Sequence, residues 1–170
     1  MKGLFGGGPD RPGDGASGSG RGIFAGIFVA SPDAVERWDM ADLTPTDWPA
    51  MEFKRLETVK LGTLESILTG VDYDDMDQDE LHALVRAGGE EGPWIVRVRE
   101  VLVTALAALE DGRVPTVASA WADTEEFTLG RGGQLPPREV ESLAGAIADM
   151  ATLARTARQR GDPMYLLMSL

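Results

Sequence analysis

The last seven residues constrain this chain most. Met164, Tyr165, Leu166, Leu167, Met168, Ser169 and Leu170 follow a Gly161-Asp162-Pro163 break and are almost all apolar. Chain ends normally fray into water, so a run like this one has to be buried. The run reads as a core strand. The natural partner is the other compact apolar run, residues 23–30, which reads Ile-Phe-Ala-Gly-Ile-Phe-Val-Ala. The two ends of the folded unit then meet in one sheet. The expected fold is α+β: a small mixed β-sheet of N- and C-terminal strands, covered by several helices.

Composition limits the rest. Residues 1–22 are mostly Gly, Ser, Pro, Asp and Arg, too polar to offset the entropy of ordering. They read as a flexible tail with Leu4 and Phe5 near its tip, which leaves residues 23–170 as a single domain. Sixteen Lys and Arg stand against 28 Asp and Glu, for a formal charge of −12. That charge repels phosphate backbones and anionic lipid, so nucleic acid and membrane surfaces are not expected partners, whereas a basic protein is. With no cysteine, disulfides, thiolate nucleophiles and iron–sulfur clusters are excluded. The start passes from Leu4-Phe5 straight into Gly6-Gly7-Gly8-Pro9, unlike a signal peptide, and no run approaches the roughly 18 apolar residues of a membrane span. The expected location is cytoplasmic.

Local signals order the middle of the chain. Ser31-Pro32-Asp33 reads as a helix start, with a capping serine, proline in the first turn and an acid beside it. Residues 39–50 read as a proline-marked loop and 53–61 as extended. Thr63, Leu64, Ile67 and Leu68 make a helix stopped by Gly70. Asp77 with Glu80 resembles a capping box, so a helix carrying Leu81, Leu84 and Val85 is expected to run to Gly88-Gly89. After Gly92-Pro93, the residues Trp94, Ile95, Val96 and Val98 read as a strand. Helices follow over 101–109 and from Pro115 onward. The longest spans Pro137 to Gly161, where Val140, Leu143, Ile147, Met150, Ala154 and Ala157 recur at steps of three and four. Glu139 and Glu141 at its start and Arg155, Arg158 and Arg160 at its end are placed to suit the helix dipole.

Chemical motifs are sparse. Asp75, Asp77 and Asp79 begin like a calcium loop, but the sixth position is Glu80 rather than glycine and the twelfth is Arg86 rather than a carboxylate. No phosphate loop or dinucleotide fingerprint occurs, and Ser17 and Ser19 lack a nucleophile elbow. No cofactor and no metal are expected. His82 is the sole histidine, so any imidazole base must be this residue. On a continuous helix it would share a face with Asp79 and Arg86, a surface setting. Asp123, Glu125 and Glu126 lie beside Trp121 and Phe127. On one helix, Asp123 and Glu126 would share a stripe, as paired carboxylates of an acid–base site can. The residues expected to meet a partner are the acidic run Asp72, Asp74, Asp75, Asp77, Asp79 and Glu80.

Residues 27–31, the Leu-Thr-Gly end of the 64–70 helix and the 154–170 helix-to-strand segment carry a resemblance of layout. The chain resembles small uncharacterised bacterial domains of the YfbM-like kind, in which a first strand leads to a Ser-x-x-x-Val helix start, here Ser31 and Val35, and a long late helix precedes a final strand. The resemblance implies an α+β fold and a bacterial source, and it brings no catalytic residues with it. Some small acidic domains of this type look like immunity or accessory proteins. The functional expectation is therefore a non-enzymatic protein-binding or accessory protein, immunity-like against a basic partner. The alternatives are a carboxylate-based enzyme, metal-assisted or not, using Asp123, Glu125 or Glu126 with His82, and a structural component tethered through the N-terminal tail.

Overall fold

The C-terminal apolar run lies at the centre of the sheet. The computed structural model describes residues 25–39, 47–53, 55–130 and 133–169; the tail expected over 1–22, with Leu4 and Phe5, lies outside them. Strands β1 (Ala25–Val29), β2 (Ala50–Glu52), β3 (Leu84–Ala87), β4 (Trp94–Arg97) and β5 (Met164–Met168) form one sheet in the order β2-β1-β5-β4-β3. Ile27 faces Leu166 across the β1–β5 ladder, and Val96 faces Leu166 across β4–β5. The α+β architecture and the meeting of the two ends are as expected. The sheet expected to be mixed is antiparallel at every pairing.

Alternation along β5 divides the core. Met164 and Leu166 join the larger cluster with Ile27, Val29, Leu102, Leu106, Trp121, Ile147 and Met150. Tyr165 and Leu167 join Phe28, Ile95 and Val35 on the opposite face, where Trp38 and Trp48 close the cluster. Because both faces are covered, β5 can be apolar at successive positions without exposing any of them. The larger face is covered by α2 (Thr58–Thr69), α4 (Glu100–Ala107), α5 (Val114–Ala122) and α7 (Pro137–Arg160). The other is crossed by α1 (Pro32–Arg37), whose N-cap Ser31 accepts from the Ala34 amide as its sequence suggests.

Helix α7 follows its apolar period over 24 residues and ends at Gly161, whose φ of 70° is left-handed, a conformation glycine adopts without Cβ strain. Its Arg155 does more than match the dipole. The guanidinium donates to the carbonyls of Ala107 at 3.2 Å and Leu109 at 2.7 Å, closing the end of α4.

Two segments differ from the sequence reading. Helix α2 starts at Thr58, inside the stretch expected to be extended, and β2 precedes it. The helical period there is disguised because the buried face includes Lys60, Gly62 and Glu65 alongside Leu61 and Leu64. Gly62 serves the packing: a Cβ at this position would lie 2.4 Å from Tyr73 Cε2. The second difference is the helix expected to carry Leu84 and Val85. Asp77 does cap a helix, accepting from the Asp79 and Glu80 amides, but α3 (Gln78–Leu81) lasts one turn. The chain then turns into β3 and pairs with β4 through a hairpin, in which Gly88 N–H donates to the Pro93 carbonyl. A cap specifies where a helix starts, while its length here is decided by the gain from pairing with β4.

Candidate functional site

The acidic run divides into two groups. Asp72 accepts from the Asp74 amide at the start of a 3-10 turn (Tyr73–Asp75), Asp77 caps α3, and Glu80 pairs with Arg99 at 3.2 Å. These three have structural partners. Asp74, Asp75 and Asp79 are exposed and make no ion pair among the described residues. Directly after α3 comes β3, the edge of the sheet, with Leu84 57% and Val85 43% exposed. A register shift between Leu84 and Arg86 leaves Val85 without a partner across the ladder.

Beneath this segment lies a buried ion pair. Glu65 is 2% exposed, and Arg99 Nη1 donates to its Oε1 at 2.7 Å, while Oε2 has no hydrogen-bond partner. Burial raises the Glu65 carboxyl above its ordinary value; Arg99 opposes that rise and Glu80 adds to it. The neighbouring Tyr73 phenol is also raised, first by burial and then by the charges of Glu126 and Asp74.

The carboxylates and histidine considered for acid–base chemistry do not converge. His82 is exposed at the C-cap of α3, with Nδ1 2.8 Å from Thr58 Oγ1. Arg86, expected on its helical face, is instead on β3 and donates to the carbonyls of Val35 and Trp38. The Trp121–Phe127 stretch is not one helix: α5 ends at Ala122 with Asp123 as its C-cap, and a separate turn, α6 (Glu125–Thr128), begins after Thr124. Asp123 and Glu125 are exposed, whereas Glu126 is half-buried. Trp121 is fully buried, and its Nε1 donates to the Lys60 carbonyl at 2.9 Å. It acts as an anchor between α5 and α2.

Glu126 borders a cavity of about 310 Å³ between α2, α6 and the start of α7. Phe53, Phe127, Leu135 and Leu143 form its apolar wall, and Arg55 and Lys60 bring cationic groups to its rim. Lys60 is only 9% exposed. Its Nζ donates to the Arg55 carbonyl at 2.6 Å, lies 3.7 Å from the Glu57 carboxylate and sits 5.3 Å over the Phe127 ring. The Lys60 bond holds Arg55 in a left-handed conformation, φ 62°, which costs a non-glycine residue free energy and is concentrated at functional sites. Glu126 Oε2 is buried without a hydrogen-bond partner. Sequence reasoning singled out Glu126 but paired it with His82. It missed Arg55 and Lys60, whose sequence signal was three cations, Lys54, Arg55 and Lys60, in a stretch that also carries Phe53 and Leu56.

Among the described residues no group of His, Asp and Glu could hold a metal ion, and no helix is long and apolar enough to cross a membrane. No protein-family model matches the chain, and no curated protein matches it. One solved structure, the protein of unknown function YfbM from Escherichia coli, is similar at 14% identity and a TM-score of 0.42, covering 86% of this chain and 99% of that one. The likeness is a weak resemblance of architecture, of the kind read from the sequence, and it carries no functional argument.

Proposed function

We propose that the protein is a non-enzymatic binding protein whose docking face joins the acidic segment to the exposed edge strand β3, and that its partner presents a basic segment. One observation carries this reading: Asp74, Asp75 and Asp79 have no cation among the described residues, and the chain passes from them directly to exposed Leu84 and Val85. An apolar centre with a polar, charged rim is the usual anatomy of a protein interface. Charge complementarity selects a basic partner and speeds its encounter. The irregularity at Val85 disfavours simple strand addition, since bulged edges resist pairing, so the contact is made by side chains. In its sharpest form this is an immunity-like role in the cytoplasm. The net charge of −12 argues against nucleic acid or anionic lipid as the partner.

The test is affinity capture from the native host with the wild-type chain, with a triple variant carrying Asp74→Lys, Asp75→Lys and Asp79→Lys, and with Leu84→Glu. Asp72, Asp77 and Glu80 are left alone because their partners are structural. A basic protein held by the wild type and lost from both variants supports the face. Equal retention by the triple variant, or capture of no basic protein at all, overturns it.

A further inference from the structure

We infer that the cavity between α2, α6 and α7 is a binding site for a small zwitterion with an apolar body, the chemistry of a free hydrophobic amino acid. Its lining shares no residue with the proposed docking face, and the inference does not depend on that face. Its volume, about 310 Å³, is at the lower end of the roughly 300–1,000 Å³ typical of small-molecule sites, which combine apolar walls with a few placed polar groups. Phe53, Phe127, Leu135 and Leu143 provide the wall.

Of the charged residues on the cavity lining, Glu126 and Arg55 make no ion pair among the described residues, whereas Glu139 is engaged elsewhere. Glu126 makes no ion pair among the described residues, and its buried Oε2 has no donor. Its carboxylate has lost part of its hydration without compensation, and because the residue lines the cavity, a cation or donor held there would offset that loss. The Arg55 guanidinium likewise makes no ion pair among the described residues, and it suits a carboxylate geometrically. Lys60 does not compete for either role, because it is already engaged by the Arg55 carbonyl, Glu57 and the Phe127 ring. A ligand with an ammonium for Glu126, a carboxylate for Arg55 and an apolar side chain for the wall meets all three demands at once. An amine alone or an acid alone makes only one of the two charged contacts. The Lys60 bond to the Arg55 carbonyl fixes the backbone from which this side chain extends, which lowers part of the ordering cost of binding.

The experiment is isothermal titration of the full chain with L-leucine, L-methionine and L-phenylalanine, and with two truncated analogues of the last, phenethylamine and 3-phenylpropanoate. At least one amino acid should bind saturably, with phenylalanine, if it binds, about tenfold or more tighter than either analogue, as expected for a charge-assisted contact. If leucine or methionine is the ligand, its own amine and acid analogues replace those two. Glu126→Gln should weaken the zwitterion about tenfold or more while leaving the deaminated acid unchanged. Arg55→Asn, which tolerates the left-handed backbone, should weaken the zwitterion and leave the amine unchanged. Thermal melts of both variants separate a lost contact from a lost fold. No saturable binding by any of the three amino acids, amine or acid binding as tight as the zwitterion, or an unaffected, folded Glu126→Gln variant would each overturn the assignment.

Discussion

Replacing Arg99 by Met gives the most direct test of how the region under the acidic segment is held. Methionine keeps most of the side chain's apolar length, so the change removes charge and hydrogen bonds rather than packing. Glu65 is 2% exposed, its Oε1 is held by Arg99 at 2.7 Å and its Oε2 has no partner. Without Arg99 the carboxylate becomes an unpaired buried charge, for which the typical loss is about 3–5 kcal/mol. That is a large part of a usual stability of about 5–15 kcal/mol. The loss should depend on pH. The folded-state pKa of Glu65 is raised above 4.5, chiefly by burial and against the pull of Arg99. Its protonated form therefore favours the fold below pH 4.5, and that contribution declines as pH rises through the folded value. Removing Arg99 takes away the opposing pull and raises the folded value further, so the deficit is largest at pH 7 and shrinks toward pH 4.5. Urea unfolding at several pH values measures this directly. Adding Glu65→Gln to Arg99→Met removes the stranded charge and should recover most of the loss. A loss under about 1 kcal/mol at pH 7, or a double variant no more stable than Arg99→Met alone, would refute the account.

Three further outcomes follow from the packing and the electrostatics. Deleting residues 164–170 removes Met164, Tyr165, Leu166 and Leu167, none more than 2% exposed, at about 1.5–3 kcal/mol each; the remainder should show no cooperative melt by circular dichroism, and a sharp transition would show that β5 is dispensable. Gly62→Ala places a methyl 2.4 Å from the Tyr73 ring and should cost about 1–3 kcal/mol in chemical denaturation; unchanged stability would mean that the ring moves freely. Both tyrosines titrate above 10.0: Tyr73 through burial, Glu126 and Asp74, and Tyr165 through burial, with Arg97 opposing and Asp162 adding. Their contribution to stability is therefore whole below pH 10.0 and falls as pH rises through the folded values; tyrosinate absorbance should appear later in the folded chain than in urea, and coincident curves would contradict this.

How legible each element was depends on the range of the interactions that form it. Helix α7, the Ser31 cap, the Gly70 and Gly161 stops and strand β4 were readable because each is governed by residues a few positions apart. Helix α2 was not, because Lys60 and Glu65 occupy its buried face and are stabilised by partners distant in the chain, such as Arg99. Leu84 and Val85 fitted a helix as well as a strand until β4 offered them pairing. The same applies to the candidate sites. Asp72–Glu80 stood out as a run, yet only the structure separates Asp72, Asp77 and Glu80, which cap or pair, from those that make no ion pair among the described residues. Glu126 was visible as an acid, but the cavity joins it to Arg55 and Lys60, roughly 70 positions away, and His82 lies elsewhere.

The sequence alone determined that the two apolar ends must be buried together, since neither run could remain in water and each was too short to bury itself as a helix. It also set the caps and stops that punctuate the helices, because these depend on local backbone chemistry. Tertiary structure decided the antiparallel order of the sheet, the early start of α2, the conversion of 84–87 to an edge strand and the gathering of Arg55, Lys60 and Glu126 around one cavity. Each of these rests on contacts between residues far apart in the chain, whose energies depend on burial and geometry that no local pattern encodes.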